Sequence, residues 1–309
     1  MSQMTAVVDK LLTQASQAYL PEGYACEQIL PEIRVSQTTG KLAKYGTQHL
    51  RVETSYAGGD GQYRRVEAVA RSQSQYVIEG HGLQGLVTSW DKANLSSPYD
   101  SMRDETIGLT TQLMNEKEKA LGDILGDTAT LTQNTTLSGT AQWNDYSNSD
   151  PIGDASTART TVQSGCGRPP NALIMSWAVW NQIRFSSKIL DALGYKYNRT
   201  GGLSHDELAQ AFGVSKIIIS EAMYESATEG QSSSLAPCFG KNAIFAVVPD
   251  RAQPYQVSLG YRIQKDAPRR VYKNPVINQP GATSIIVEDS YDMFISQASA
   301  AYLIKNVIA

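Results

Sequence analysis

The first clear pattern along the chain is an alternation of residue types with a period of two. Strand-favouring residues at every second position from 50 to 56 alternate with Arg51, Glu53 and Ser55, which predicts a strand with one apolar face. The glycine-rich residues 57–62 indicate a turn, and residues 63–71 are again typical of a strand. We therefore predict a long β-hairpin over residues 50–71.

A hairpin that packs on the core of its own subunit is usually rich in apolar residues. This one is instead rich in charged residues and poor in apolar ones. A two-stranded hairpin is only marginally stable alone, so we expect it to lie on another surface, such as a neighbouring subunit. Its arginines are suited to contact phosphates, but the interleaved carboxylates favour ion pairs between subunits. The candidate inter-subunit contact residues are Arg51, Glu53, Arg64, Arg65, Glu67 and Arg71.

The strongest helical pattern covers residues 99–125. Leu109, Leu113, Ala120 and Ile124 recur at helical spacing, and acidic residues stand near the start, where the helix dipole favours them. A helix of this length spans roughly 40 Å at 1.5 Å per residue. The charged run 116–119 predicts a solvated outer face.

The second half of the chain begins with a polar stretch, continues with alternating helix and strand patterns, and ends with strand patterns alone. Residues 126–154, rich in Thr, Asn, Ser and Gly, predict a long loop. Short apolar runs at 171–176 and 216–219 predict buried strands, and Ser204 with Glu207 forms a capping box that starts a helix. Strand patterns dominate from residue 255 to the end. The chain is therefore predicted to be α+β.

Composition limits the class of protein. The chain has 309 residues, of which 41% are hydrophobic and 18% charged, with a net charge of −3. This balance excludes a disordered or strongly basic nucleic-acid-binding chain. No apolar run approaches the roughly 20 residues that a membrane helix needs, and no secretory signal pattern is present. The three widely spaced cysteines, Cys26, Cys166 and Cys238, fit free thiols in a reducing cytoplasm.

Tests for catalytic or binding motifs are negative. Residues 80–85 match G-x-G-x-x-G, but no βαβ unit surrounds them, so we predict a bend rather than a dinucleotide site. The three histidines, His49, His81 and His205, have no zinc-ligand spacing, and no G-x-S-x-G elbow exists. Cys166 follows a predicted helix end and is interpreted as a structural thiol. We expect no catalytic residue, cofactor or metal.

The order of these elements over almost the whole chain resembles the tailed-bacteriophage major capsid proteins, which have the Hong Kong phage-type fold. Three local stretches strengthen the resemblance: the Trp-containing loop 142–151, the Arg-Pro-Pro-Asn segment that opens 168–176, and residues 208–214 before a buried strand. These stretches are typical of packing and turns and contain no catalytic motif. They therefore support the fold and indicate no catalytic activity.

The resemblance implies four parts of the chain. An N-terminal arm covers 1–44, and an extended β-hairpin loop covers 45–75. A peripheral domain covers 76–154 and 255–295, with its long spine helix at 99–125. An axial α/β domain covers 155–254 and 296–309.

The resemblance also implies a function and partners. Hexamers and pentamers of the chain would form an icosahedral shell around double-stranded DNA, with assembly in the host bacterial cytoplasm and no membrane. A portal protein and a decoration protein are expected partners, and DNA would be contacted non-specifically. Because Met1 lies close to the arm, we expect a separate scaffolding protein. Some relatives cross-link through a lysine of the extended loop, but residues 45–91 contain none, so we expect a non-covalent shell.

Three other functions fit parts of the sequence. The first is an encapsulin-like bacterial compartment, which shares the fold and encloses enzymes. The second is an α/β enzyme that binds a nucleotide through residues 80–85. The third is a minor tail or decoration protein.

Overall fold

The structure is a computed structural model. It describes residues 7–19, 23–45, 50, 52, 71–94, 99–194, 202–228, 230–252, 256–265, 269–276, 279 and 281–309. The helices in this part of the chain are α1 (Lys10–Ala18), α2 (Cys26–Ile29), α3 (Ser89–Asn94), α4 (Ser101–Gly126), α5 (Pro151–Cys166), α6 (Trp177–Ile183), α7 (Ser187–Ala192) and α8 (His205–Phe212).

The strands form two larger sheets and two short ribbons. In chain order they are β1 (Val7–Val8), β2 (Glu32–Val35), β3 (Thr39–Tyr45), β4 (Arg71–Val77), β5 (Glu79–Val87), β6 (Asn134–Thr136), β7 (Ala172–Ser176), β8 (Lys216–Ser220), β9 (Met223–Glu225), β10 (Leu235–Pro237), β11 (Ala243–Ala246), β12 (Gly260–Lys265), β13 (Arg270–Pro275), β14 (Thr283–Ile295) and β15 (Ala301–Lys305).

The five-stranded sheet has the order β6-β15-β11-β7-β8. Its central strands are buried on both faces, which explains why β7 and β11 are continuous apolar runs. Helices α5, α6, α7 and α8 cover one face, and α2 with the last turns of α4 covers the other. The buried strands predicted at 171–176 and 216–219 are confirmed as β7 and β8, which pair in parallel.

The six-stranded sheet is built around the 13-residue strand β14. Along one edge β14 pairs with β13 and then with β12, and along the other edge it pairs with β5. Short strands β1 and β2 extend the sheet beyond β13 and β12. Helices α1 and α4 pack on the inner face of this sheet around Leu109, Val271 and Val287.

Helix α4 confirms the helix predicted at 99–125 and connects the two sheets. It begins after Asp100, whose side chain accepts a hydrogen bond from the Met102 backbone N–H at 3.0 Å. Leu109 and Leu113 lie in the core beneath the six-stranded sheet, whereas Leu121 and Leu125 lie in the core of the five-stranded sheet. One helix therefore contributes to both cores.

Three expectations from the sequence are wrong in detail. Residues 80–85 lie in strand β5, not in a bend, because every second side chain faces α4 while the glycines at 80 and 82 face outward. In the charged run 116–119, Lys117 and Glu118 are buried, because they occupy the helix face that contacts both sheets. The stretch 126–154 contains β6 and a 3-10 helix, Gly139–Ala141, since β6 pairs with the C-terminal strand β15.

The predicted helix boundaries agree with local capping chemistry. Ser204 and Glu207 form the reciprocal capping box at the start of α8. Gly213 and Gly167 end α8 and α5 in the left-handed region, with φ of 61° and 78°, where a side chain would be strained. No helix in the described ranges has the length and apolar character to cross a membrane.

Gly122 sets how closely α4 approaches the backbone of Cys238, in the segment between β10 and β11. A Cβ atom at this position would overlap the Cys238 carbonyl oxygen, which belongs to the backbone and cannot move freely. We expect Gly122→Ala to lower the free energy of unfolding by about 1–3 kcal/mol, measured by urea denaturation. Gly108→Ala in the same helix is the control. Nothing lies within 4 Å of its Cβ, so it should be neutral or stabilise by up to about 1 kcal/mol. Equal effects at both positions would contradict the packing argument.

Candidate assembly surfaces

Five of the six predicted contact residues stand between β3 and β4 in sequence, and the sixth, Arg71, is the first residue of β4. Arg51, Glu53, Arg64, Arg65 and Glu67 lie outside the described residues, and for Arg71 only the backbone, at the start of β4, is described. The structure describes the paired stem of the loop, in which Thr39 lies opposite Val77 and Tyr45 opposite Arg71. The stem therefore leads the chain into residues 46–70, and the predicted contacts stay a prediction.

The base of this loop is anchored on the six-stranded sheet. The Tyr76 ring packs with Phe294 in a small apolar cluster under the stem. The Lys44 ammonium lies 5.0 Å from the centre of the Phe294 ring, within cation–π range. The Val77 backbone N–H donates to Asp292 Oδ2 at 3.0 Å. These contacts hold the starting direction of the loop relative to the sheet.

A second candidate surface is the β9–β10 ribbon beside the five-stranded sheet. Its register places Met223, Glu225, Leu235 and Pro237 on one face. Leu235 is 63% exposed and Met223 is 42% exposed, while Tyr224 on the opposite face packs on the core. Two exposed apolar side chains that share one face of a short ribbon are suited to contact a partner.

Trp90 on α3 is the most exposed aromatic residue among those described, at 74%. Helix α3 is held in place by Lys92, whose ammonium donates to Gly281 O at 3.1 Å and Thr283 Oγ1 at 2.7 Å. Trp90 is therefore exposed to solvent on a helix whose position is fixed by these hydrogen bonds. Tryptophan in such a position is a frequent anchor of protein interfaces.

A group of buried polar side chains lies between the two cores, and we call it the polar junction. It consists of Lys117 and Glu118 on α4, Gln264 on β12 and Asp289 on β14. Lys117 Nζ lies 2.9 Å from Asp289 Oδ2, and Gln264 Nε2 donates to Asp289 Oδ1 at 2.8 Å. Lys117 also lies 4.4 Å from the centre of the Tyr291 ring. Burial raises the pKa of Asp289, but the Lys117 ammonium and the more distant Arg269 and Arg262 together outweigh burial, so the pKa lies below its ordinary value.

Glu118 forms the other half of the polar junction. Its carboxylate accepts hydrogen bonds from the backbone N–H groups of Ala25 and Cys26, at 2.8 and 2.9 Å, and from Ser220 Oγ at 2.8 Å. It thereby joins the N-terminal segment, α4 and β8 through one buried group. Burial raises the pKa of Glu118 above its ordinary value, and the three hydrogen bonds offset part of that rise.

Sequence reasoning missed the polar junction, although a signal was present. Lys117 is four residues from both Leu113 and Leu121, so it lies on the apolar stripe of the helix. A charged residue in such a stripe is buried with a partner or reaches past the stripe to solvent. The partner Asp289 is 172 residues away in sequence, so the pairing itself was not predictable.

The motifs tested for chemistry have structural roles in the described residues. Strand β5, with its glycines, pairs antiparallel with β14 and is followed by the six-residue helix α3, which is not a dinucleotide-binding arrangement. His81 stacks on Tyr291, and His205 stacks on Trp180. Cys166 is buried, and burial raises its thiol pKa, as expected for a structural thiol. No group of potential metal ligands occurs among the described residues.

Comparison with known proteins identifies the fold. No protein-family model matches the chain. The major capsid protein of Burkholderia phage BcepMu is 21% identical over 312 residues, which cover 97% of each chain. A phage-related protein from Bordetella bronchiseptica has 20% identity, a TM-score of 0.76, and coverage of 98% of this chain and 99% of its own. This chain has the capsid fold of the tailed phages. It is a homologue of a phage major capsid protein, as the resemblance implied.

Other shells share the capsid fold at lower sequence identity. The capsid of cyanophage P-SCSP1u has 10% identity and a TM-score of 0.61, covering 93% of this chain and 89% of its own. An encapsulin complex from Synechococcus elongatus has 12% identity and a TM-score of 0.54, covering 99% and 98%. The capsid fold alone therefore does not separate phage shells from encapsulin shells. The near-full-length match to the BcepMu protein favours the phage role.

Proposed function

We propose that this chain is the major capsid protein of a tailed phage, a structural subunit that assembles as hexamers and pentamers into an icosahedral shell around double-stranded DNA. The sequence match to the BcepMu major capsid protein over 97% of both chains carries this proposal. The anchored stem supports it, because a two-stranded ribbon is marginally stable alone and gains from a further surface to pack on. Head-to-tail contacts that close into rings are a regular way to build such assemblies.

The same proposal assigns the four parts of the subunit and its contacts. The arm is 1–44, the extended loop 45–75, the peripheral domain 76–154 with 255–295, and the axial domain 155–254 with 296–309. The arginines of the loop meet carboxylates of the adjacent subunit, and the exposed Leu50 and Val52 add apolar contact.

Electron microscopy of particles purified after co-expression of the chain with the proposed scaffolding protein tests shell formation. We expect closed shells, and we expect the double variant Arg64→Glu/Arg65→Glu to lower their yield at least about tenfold, because like charges facing each other at an interface cost several kcal/mol. The control Arg64→Lys/Arg65→Lys keeps the charges and should keep most of the yield. Unchanged assembly of the charge-reversed variant would argue against the loop contacts. Absence of any shell, with a folded chain and co-expressed scaffolding protein, would argue against the capsid role.

The shell is proposed to be non-covalent, because the stretch 45–91 has no lysine for a loop cross-link. Boiled, reduced shells should give one band at 33.7 kDa in a denaturing gel. A ladder of subunit multimers would show that cross-links form.

The contents of the particles separate the phage shell from the encapsulin-like alternative. Particles isolated from infected or induced cells should contain nucleic acid that nuclease cannot reach. Particles filled with an enzyme and free of DNA would support the encapsulin-like role instead. Proposed partners are a scaffolding protein, a portal protein, a decoration protein and the packaged DNA, with assembly in the bacterial cytoplasm. We propose no catalytic role for the chain.

A further inference from the structure

A pocket of about 190 Å³ lies beside the polar junction, between α1, α4 and the inner face of the six-stranded sheet. Its wall includes two buried arginines, Arg262 and Arg269, which are 5% and 8% exposed. Guanidinium groups are almost never fully buried unless they are paired, so the partners of these two side chains decide what the pocket binds.

Arg269 has no acidic partner among the described residues. Its single hydrogen-bond acceptor there is the Met114 sulfur, 3.4 Å from Nη1. A thioether is a weak acceptor, and a guanidinium has five N–H donors in a fixed planar fork. Burial lowers the pKa of Arg269, while the nearby carboxylate of Asp289 acts in the opposite direction. The side chain is therefore a desolvated cation whose donors line the pocket without a matching acceptor.

Arg262 offers no free donor to the pocket. Its Nη1 and Nη2 atoms lie 3.0 and 3.5 Å from carboxylate oxygens of Glu27 and Glu32. Its Nε–H is buried and has no hydrogen-bond partner in the part of the chain that the structure describes. This N–H has almost no accessible surface, so a ligand in the pocket does not reach it.

The carboxylates in the wall are already paired. Asp289 faces Lys117 and Gln264, and Glu27 and Glu32 face Arg262. The three cations and three carboxylates balance in formal charge. Selection of a ligand therefore depends on local donors, and the accessible donors without a strong acceptor are those of Arg269. The charged oxygens of a small oxyanion suit such donors better than the neutral oxygen of a water molecule does, and a cation has no acceptor to offer them.

We propose that this pocket is a binding site for a small tetrahedral oxyanion, phosphate or sulfate, held by the Arg269 guanidinium. The bound anion neutralises Arg269 where α1, α4 and the six-stranded sheet meet. It stabilises the folded subunit by mass action.

Thermal unfolding of the full chain with inorganic phosphate, at ionic strength held constant with sodium chloride, tests the site. The midpoint should rise with phosphate concentration. Arg269→Gln should weaken phosphate binding about ten- to a hundredfold, the loss expected for hydrogen bonds to a charged group. Arg270→Gln is the matched control: Arg270 is the next residue, begins β13 and is exposed, so affinity should not change.

The control also separates binding from general salt stabilisation, because excluded salts such as phosphate raise the midpoint of any variant. An equal rise in the Arg269→Gln and Arg270→Gln variants would overturn the proposal. No difference between phosphate and chloride in the wild type would overturn it as well. If Arg269→Gln does not fold, Arg269→Lys keeps the charge but loses the planar fork. Calorimetric titration of that variant should show weaker phosphate binding, and wild-type affinity would count against the site.

Discussion

Replacing Glu118 by alanine is expected to lower the free energy of unfolding by about 4 kcal/mol, because each buried donor left without an acceptor costs roughly 1–3 kcal/mol. Three donors lose their acceptor: two backbone N–H groups at the start of α2 and the Ser220 hydroxyl. A domain of this kind has only about 5–15 kcal/mol of stability in total. Urea unfolding of the unassembled chain measures the change.

Glu116→Gln is the matched control for this prediction. Glu116 is two residues earlier in α4, and its side chain is 52% exposed, so the change should stay within about 0.5 kcal/mol. Similar losses at the two positions would show that Glu118 is not the connection between the N-terminal segment, α4 and β8.

The raised pKa of Glu118 also has a pH consequence. The folded state binds this proton more tightly than the unfolded state, so stability should fall as pH rises from the ordinary value of 4.5 through the raised folded value. Glu118→Gln has no proton to lose and should lack this part of the pH dependence. An identical slope in wild type and Glu118→Gln would contradict the assignment.

The second large effect is expected at the buried ion pair of Lys117 and Asp289. Lys117→Met leaves the Asp289 carboxylate buried without its cation, and Asp289→Asn leaves the ammonium buried without its anion. Each should cost about 3–5 kcal/mol, the usual result of removing one partner from a buried pair. The double variant should cost clearly less than the sum, because neither charge then remains unpaired.

A double-mutant cycle by urea unfolding gives this coupling directly. Additive costs would show that the two side chains act independently. Lys119→Met, in the same helix with a side chain 29% exposed, is the control and should cost less than about 1 kcal/mol. The pair also predicts acid sensitivity. Because the folded pKa of Asp289 is below 3.8, its stabilisation is complete above that value and is lost as pH falls through the folded pKa.

The polar junction gives the two sheets a common connection. Apolar contacts hold each end of α4 in its own core, and these contacts have little directional preference. Hydrogen bonds at Lys117 and Glu118 add direction, because each requires a specific atom of β14, β8 or the N-terminal segment at about 2.9 Å. We expect this group to hold the two sheets in one arrangement within the subunit.

Much of the fold was predictable from local sequence patterns. The helix at 99–125, the buried strands at 171–176 and 216–219, and the capping box at Ser204 each depend on residues within one element. Helical spacing, apolar runs and caps are local physical effects, so they are visible in the chain before it folds. The order of these elements was enough to indicate the capsid fold.

The predictions that failed concern residues whose partners are far away in sequence. The glycines at 80–85 form a strand because β14, some 200 residues later, supplies the hydrogen bonds of the ladder. Lys117 is buried because Asp289 neutralises it, and Arg262 and Arg269 line one pocket only because segments far apart in sequence meet there. The sequence by itself determined the elements, their order and the class of protein. Tertiary structure alone decided which charges are buried and paired, because desolvation and pairing are properties of surroundings built from the whole chain.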